Sequence, residues 1–99
     1  MNKNRQIWKY STVEDGFRTT FTIKLPKGAE ILSVQTDQKD NRPCIWALVD
    51  PEAESEDRHF ELFGTGHDIY CDIGIERKYI GTYQYQGGAF VGHIFERLN

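Results

Sequence analysis

Apolar and polar residues alternate with a period of two along most of the chain, and glycine or proline breaks the alternation at intervals. Residues 6–12 read Gln-Ile-Trp-Lys-Tyr-Ser-Thr, which puts Trp8 and Tyr10 on one face and Ile7 and Lys9 on the other. Residues 18–25 repeat the pattern, with Phe21, Ile23 and Leu25 on one side and Thr20, Thr22 and Lys24 on the other. Successive side chains of a β-strand point to opposite faces, so each segment predicts a half-buried antiparallel strand. Glu14-Asp15-Gly16 predicts a hairpin turn between them.

Pro26-Lys27-Gly28 ends the second strand, and Ile31-Leu32-Ser33-Val34-Gln35-Thr36 predicts a third, with a polar loop over 37–42. Cys44-Ile45-Trp46-Ala47-Leu48-Val49 is apolar at every position, which predicts a central strand covered on both faces, with Trp46 in the core. Asp50-Pro51-Glu52 has the makings of a helix start: Asp as N-cap, Pro at the first position, an acid next to the positive end of the dipole. The segment has room for one short helical turn near 50–56. His59-Phe60-Glu61-Leu62-Phe63 resumes a strand and stops at Gly64-Thr65-Gly66, and 64–78 is the longest irregular piece. The segments 79–85 and 89–95 flank Gln86-Gly87-Gly88, a hairpin with glycines suited to its turn. The whole predicts one all-β domain over residues 1–99, with about seven mostly antiparallel strands in a small sandwich or partly open barrel.

Composition supports a packed core. In 99 residues the hydrophobic share is 38% and the aromatic share 13%, so large rings supply much of the area to be buried despite a mean hydropathy of -0.61. No run of about 18 apolar residues and no basic-then-apolar leader is present, so neither a membrane span nor a secretory signal is expected. Cys44 and Cys71 fall in a predicted strand and a predicted loop, without CxxC spacing, which fits free thiols in a reducing compartment. The net charge of -3 is unevenly spread: residues 1–42 carry eight Lys/Arg against five Asp/Glu, and residues 43–99 four against ten. Asp50 to Asp57 holds five acids and no base. Such a stretch repels phosphate, and no basic stripe exists elsewhere, so general nucleic-acid binding is not expected.

Several groups are candidates for chemistry. Gly64-Thr65-Gly66-His67 can form a nest of backbone N–H groups for an anion, with His67 as a further donor. It lacks a P-loop ending, and the plainer reading is that both glycines let the chain leave a strand. His59, His67 and His93 have no metal-ligand spacing; His93 shares a face with Val91 and Phe95, as a part-buried, hydrogen-bonded ring would. No metal or cofactor is expected. Cys71 is the one candidate nucleophile, but Asp68 and Asp72 beside it work against a thiolate. An enzyme is therefore not expected. Tyr79, Tyr83 and Tyr85 share one face of their segment, and a tyrosine ridge on the outside would make a contact surface. The acids Glu52, Glu54, Glu56 and Asp57 are the other candidate contact, suited to a basic partner. The strand at 89–96, if at a sheet edge, offers a route to a homodimer.

Leu25-Pro26-Lys27-Gly28-Ala29-Glu30-Ile31-Leu32-Ser33-Val34-Gln35, Trp46-Ala47-Leu48-Val49-Asp50-Pro51, Phe63-Gly64-Thr65-Gly66-His67, Tyr79-Ile80-Gly81-Thr82 and Gly87-Gly88-Ala89-Phe90-Val91 with His93-Ile94-Phe95-Glu96 occur in this order. Together, over roughly residues 7–96, they resemble a family of short tailed-bacteriophage and prophage proteins of unknown function. Gly92 departs from that pattern, which calls for a bulky residue, and the loop at 70–78 is longer. The resemblance implies a viral accessory protein in the cytoplasm of an infected bacterium. On that basis the expected function is non-catalytic binding to a host or anti-phage defence protein, modulating or inhibiting it. The alternatives are a nucleotide-sequestering protein that uses Gly64–His67 and the aromatics, and a minor virion component.

Overall fold

The computed structural model describes residues 4–12, 19–39, 41–85 and 87–99, and among them are seven strands and no helix. They are β1 (Gln6–Ser11), β2 (Thr20–Pro26), β3 (Glu30–Asp37), β4 (Arg42–Val49), β5 (Ser55–Gly64), β6 (Arg77–Tyr85) and β7 (Phe90–Arg97). They form two antiparallel sheets, one in the order β1-β4-β3 and the other β2-β5-β7-β6. The chain is all-β, as the alternation predicts.

The pairing corrects one expectation. β1 and β2 do not form a hairpin, because they lie in different sheets; Glu14-Asp15-Gly16 lies outside the described residues. β1 pairs with β4 instead, with Trp8 opposite Ala47 and Tyr10 opposite Ile45. β4 is the central strand of its sheet, paired with β1 on one side and β3 on the other. β7 is likewise an interior strand, between β5 and β6, so the 89–96 segment is not an edge available for pairing with a second copy.

Residues 50–54 also differ from expectation. Ala53 N–H donates to the Asp50 carbonyl at 3.1 Å and Glu52 N–H to Asp50 Oδ1 at 3.0 Å. The Asp side chain thus caps a tight turn rather than a helix. A helix has no room to grow, because β5 begins at Ser55 and sets Glu56 opposite Leu25 and Asp57 opposite Lys24.

The core lies between the sheets. Ile45, Ala47 and Val49 of β4 are fully buried, and they meet Leu25 from β2, Phe60 and Leu62 from β5, Ile94 from β7 and Tyr83 from β6. Only one face of β4 points inward. Trp46 and Leu48 point the other way and are half-buried, so Trp46 is not a core residue. The inter-sheet gap is closed along one side where β3 meets β6. There a Cβ on Gly81 would come within 3.0 Å of the Val34 side chain, so glycine permits the close approach. At one end a buried ion pair, Arg58 with Glu96, spans the inner face of the larger sheet.

Candidate functional site

The segment 65–76 joins β5 to β6 and lies along the outer face of the four-stranded sheet. Its first turn is closed by its own groups. His67 N–H donates to the Gly64 carbonyl at 3.0 Å, and Gly64 N–H donates to His67 Nδ1 at 3.3 Å. The imidazole occupies the space where a Cβ on Gly64 would sit, 2.7 Å from that position, and Gly66 turns the chain at φ +86°. Thr65 N–H donates to the Val91 carbonyl at 3.3 Å. The N–H groups of Gly64, Thr65 and His67 are thus all used internally. Gly64, Thr65, Gly66 and His67 form a strand exit in which three of the four N–H groups are engaged internally.

The same turn is tied to the sheet through side chains. Thr65 Oγ1 bonds His93 Nε2 at 2.7 Å, Thr82 Oγ1 bonds His93 Nδ1 at 2.9 Å, and Tyr79 OH bonds Thr82 Oγ1 at 2.5 Å. His93 is part-buried with both ring nitrogens engaged. Beside this chain, Phe63, Phe95 and Tyr79 form an edge-to-face ladder, with centroids 5.7 and 5.4 Å apart.

The far end of the loop is held more firmly still. Arg77 Nε donates to Glu61 Oε1 at 2.6 Å while Arg77 Nη1 donates to the Tyr70 carbonyl at 2.8 Å, and the guanidinium lies 5.6 Å from the Phe63 ring centre. The Glu61 hydrogen bond raises the Arg77 pKa above its ordinary value. Glu76 N–H donates to Asn99 Oδ1 at 3.0 Å, Leu98 N–H donates to the Glu76 carbonyl at 2.9 Å, and Asn99 Nδ2 donates to the Gly74 carbonyl. Between these ties the chain reverses at Asp72–Ile75, where Ile75 N–H meets the Asp72 carbonyl at 3.2 Å and Gly74 takes φ +92°.

This anchoring holds apolar side chains out in water. Ile73, beside Gly74 in that turn, is fully exposed; Tyr70 is 71% and Ile69 39% exposed, and Tyr79 and Leu98 are each 54% exposed. Three exposed acids, Asp68, Asp72 and Glu76, are interspersed with them. Isolated exposed apolar residues are ordinary, but here several fall in or next to one anchored loop.

The other expected contact residues are dispersed. Glu54 pairs with Lys27 at 3.5 Å and Asp57 with Lys24 at 3.0 Å, so β2 and its turn offset two of the acids. Glu56 is half-buried within β5, and Glu52 is exposed at the turn. They lie at the end of the larger sheet where β5 and β6 begin and β7 ends, the same end as the 72–76 turn. The tyrosine ridge does not form. A bulge between Tyr79 and Gly81 shifts the register, leaving Tyr79 outside while Tyr83 and Tyr85 turn inward. Tyr83 is 3% exposed, its hydroxyl has no hydrogen-bond partner among the described residues, and burial pushes its pKa up to about 12. Tyr85 is half-buried against the core.

Cys44 is buried and Cys71 exposed, and they are not joined in a disulfide. Among the described residues no three His, Cys, Asp or Glu side chains group as metal ligands would, and no helix is long and apolar enough to cross a membrane. Ile69, Tyr70 and Ile73 escaped the sequence reading. The available signal was three apolar residues in a stretch with no alternation to bury them.

A family model described as a domain of unknown function, DUF7352, matches residues 3–99. No curated protein and no solved structure matches the chain.

Proposed function

The chain belongs to the DUF7352 family, whose description assigns no activity, and we propose from its own surface that it is a non-catalytic protein-binding module. The observation that carries this reading is Ile73: a fully exposed isoleucine on a turn tied down on both sides by Arg77, Asn99 and Leu98. Burying one such side chain in a partner is worth roughly 1.5–3 kcal/mol. Ile69 and Tyr70 in the same loop add exposed apolar area, and Asp68, Asp72 and Glu76 in that loop add exposed acids. Because the loop is already ordered, little conformational entropy is lost when a partner closes over it.

The likeness to short tailed-phage proteins supports a host or defence-system protein as the partner, met in the cytoplasm of an infected bacterium, with modulation or inhibition as the result. Asp68, Asp72 and Glu76 favour a basic rim on that partner. A nucleotide-sequestering role finds less support, because Gly64, Thr65 and His67 have no spare N–H groups.

The test is affinity capture from infected-cell lysate at physiological salt, with the natural chain and the Ile73→Asp variant side by side. One dominant protein should be retained by the first and lost by the second, at equal unfolding midpoints. Equal recovery of the same proteins by both would overturn the proposal.

A further inference from the structure

The outer face of the four-stranded sheet carries a row of polar side chains set in register across its strands. Thr22 of β2 lies opposite His59 of β5, His59 opposite Arg97 of β7, and Arg97 opposite Arg77 of β6. Like charges directly opposite each other repel unless an anion stands between them. Glu61, further along β5 on the same face, supplies one. Its Oε1 accepts from Arg77 Nε at 2.6 Å, while its Oε2 lies 3.7 Å from Arg97 Nη1, beyond hydrogen-bond reach.

The nearby acids are committed elsewhere, which leaves Arg97 as the unsatisfied member of the row. Glu61 and, from the loop, Asp72 act on Arg77. Asp57 of β5 is held by Lys24 at 3.0 Å, and Glu96, next to Arg97 in the chain, points to the opposite face into the grip of Arg58. Arg97 Nε is closed off from solvent and has no hydrogen-bond partner among the described residues. A shielded donor of this kind calls for a partner that the protein itself does not provide.

Arg97 also lines a cleft of about 590 Å³, together with Thr20, Thr22, His59, Glu61 and Asn99. That volume falls in the range of small-molecule sites. Thr22 Oγ1 lies 3.0 Å from His59 Nδ1. A hydroxyl donating there sets the imidazole tautomer that carries its proton on Nε2, a donor for a ligand. Thr20, exposed at the start of β2, adds a hydroxyl.

We propose that this cleft binds the phosphate group of a small molecule, with Arg97 as counter-ion, His59 and Thr20 as further donors, and Thr22 orienting the imidazole. A phosphate presents three strong acceptor oxygens, which suits donors arriving from three strands, and the guanidinium fork matches its geometry.

The test is an NMR titration of the isotopically labelled chain with inorganic phosphate and with phenyl phosphate, at constant ionic strength and without other oxyanions. Saturable shifts centred on Thr20, Thr22, His59 and Arg97 are expected. Tighter binding of phenyl phosphate identifies an ester as the source of the group, and binding of inorganic phosphate as tight or tighter identifies the free ion. Arg97→Gln should weaken binding at least about tenfold, and Thr20→Val, an exposed change that leaves the charges in place, about threefold. No saturation by either probe up to about 20 mM, saturable shifts centred away from these residues, or binding undiminished in both variants would each overturn the proposal.

Discussion

Arg58 grips Glu96 with two parallel hydrogen bonds, Nε to Oε2 at 2.6 Å and Nη2 to Oε1 at 2.8 Å, and its third nitrogen donates to the Ala29 carbonyl at 2.5 Å. Both residues point into the space between the sheets, where Ile23 and Phe60 are their direct cross-strand neighbours. A charged pair is tolerated there because the fork geometry satisfies both ions and the backbone carbonyl takes the remaining donor.

Breaking that pair from one side should be costly. Glu96→Gln leaves a guanidinium that is only 16% exposed without its counter-ion, and a loss of about 2–4 kcal/mol is expected. Replacing both partners, Arg58→Met with Glu96→Leu, should recover most of it. Urea unfolding of the three proteins measures this; equal losses in the single and double variants would contradict the account.

Gly92 is explained by Tyr83, directly across on β6. A Cβ at position 92 would lie 2.6 Å from the tyrosine ring, so the ring lies over the glycine and does the packing that a bulky residue would otherwise do. Gly92→Ala should therefore destabilise by about 1–3 kcal/mol. Combining it with Tyr83→Leu should cost less than the sum of the two single changes. Additive losses in a double-mutant cycle would show that the two do not compete for the same space.

Tyr83 also sets an alkaline limit. Burial holds its folded pKa at about 12 against an ordinary 10.0, so the folded chain keeps a proton that the unfolded chain loses. The stability from this group is complete below pH 10 and falls as pH rises toward 12, by about 2–3 kcal/mol. Tyr83→Phe should flatten that decline and cost little at neutral pH, because the hydroxyl has no hydrogen bond to lose among the described residues. Denaturant titrations from pH 8 to about 12 compare the two; an unchanged alkaline slope would contradict the assignment.

The strands were legible in the sequence because burial on one face forces alternation, and Phe21, Ile23 and Leu25 point inward as their spacing requires. Pairing was less legible. Gly-containing turns suggest that neighbours in sequence are neighbours in space, yet β1 and β2 belong to different sheets. The bulge at Tyr79–Gly81 broke the tyrosine ridge, and a one-residue shift of this kind leaves no mark in a period-two pattern. The loop was the hardest part to read. Its order comes from Arg77, Asn99 and Leu98, contacts across long separations that local spacing does not encode.

The most direct measurement of the binding proposal is amide hydrogen exchange on the chain alone and on its complex with the captured partner. Slowed exchange concentrated at residues 69–76, with the Gln6–Ser11 and Glu30–Asp37 strands unchanged, is the result this account predicts. Unaltered exchange through the loop, with protection appearing elsewhere, would contradict it.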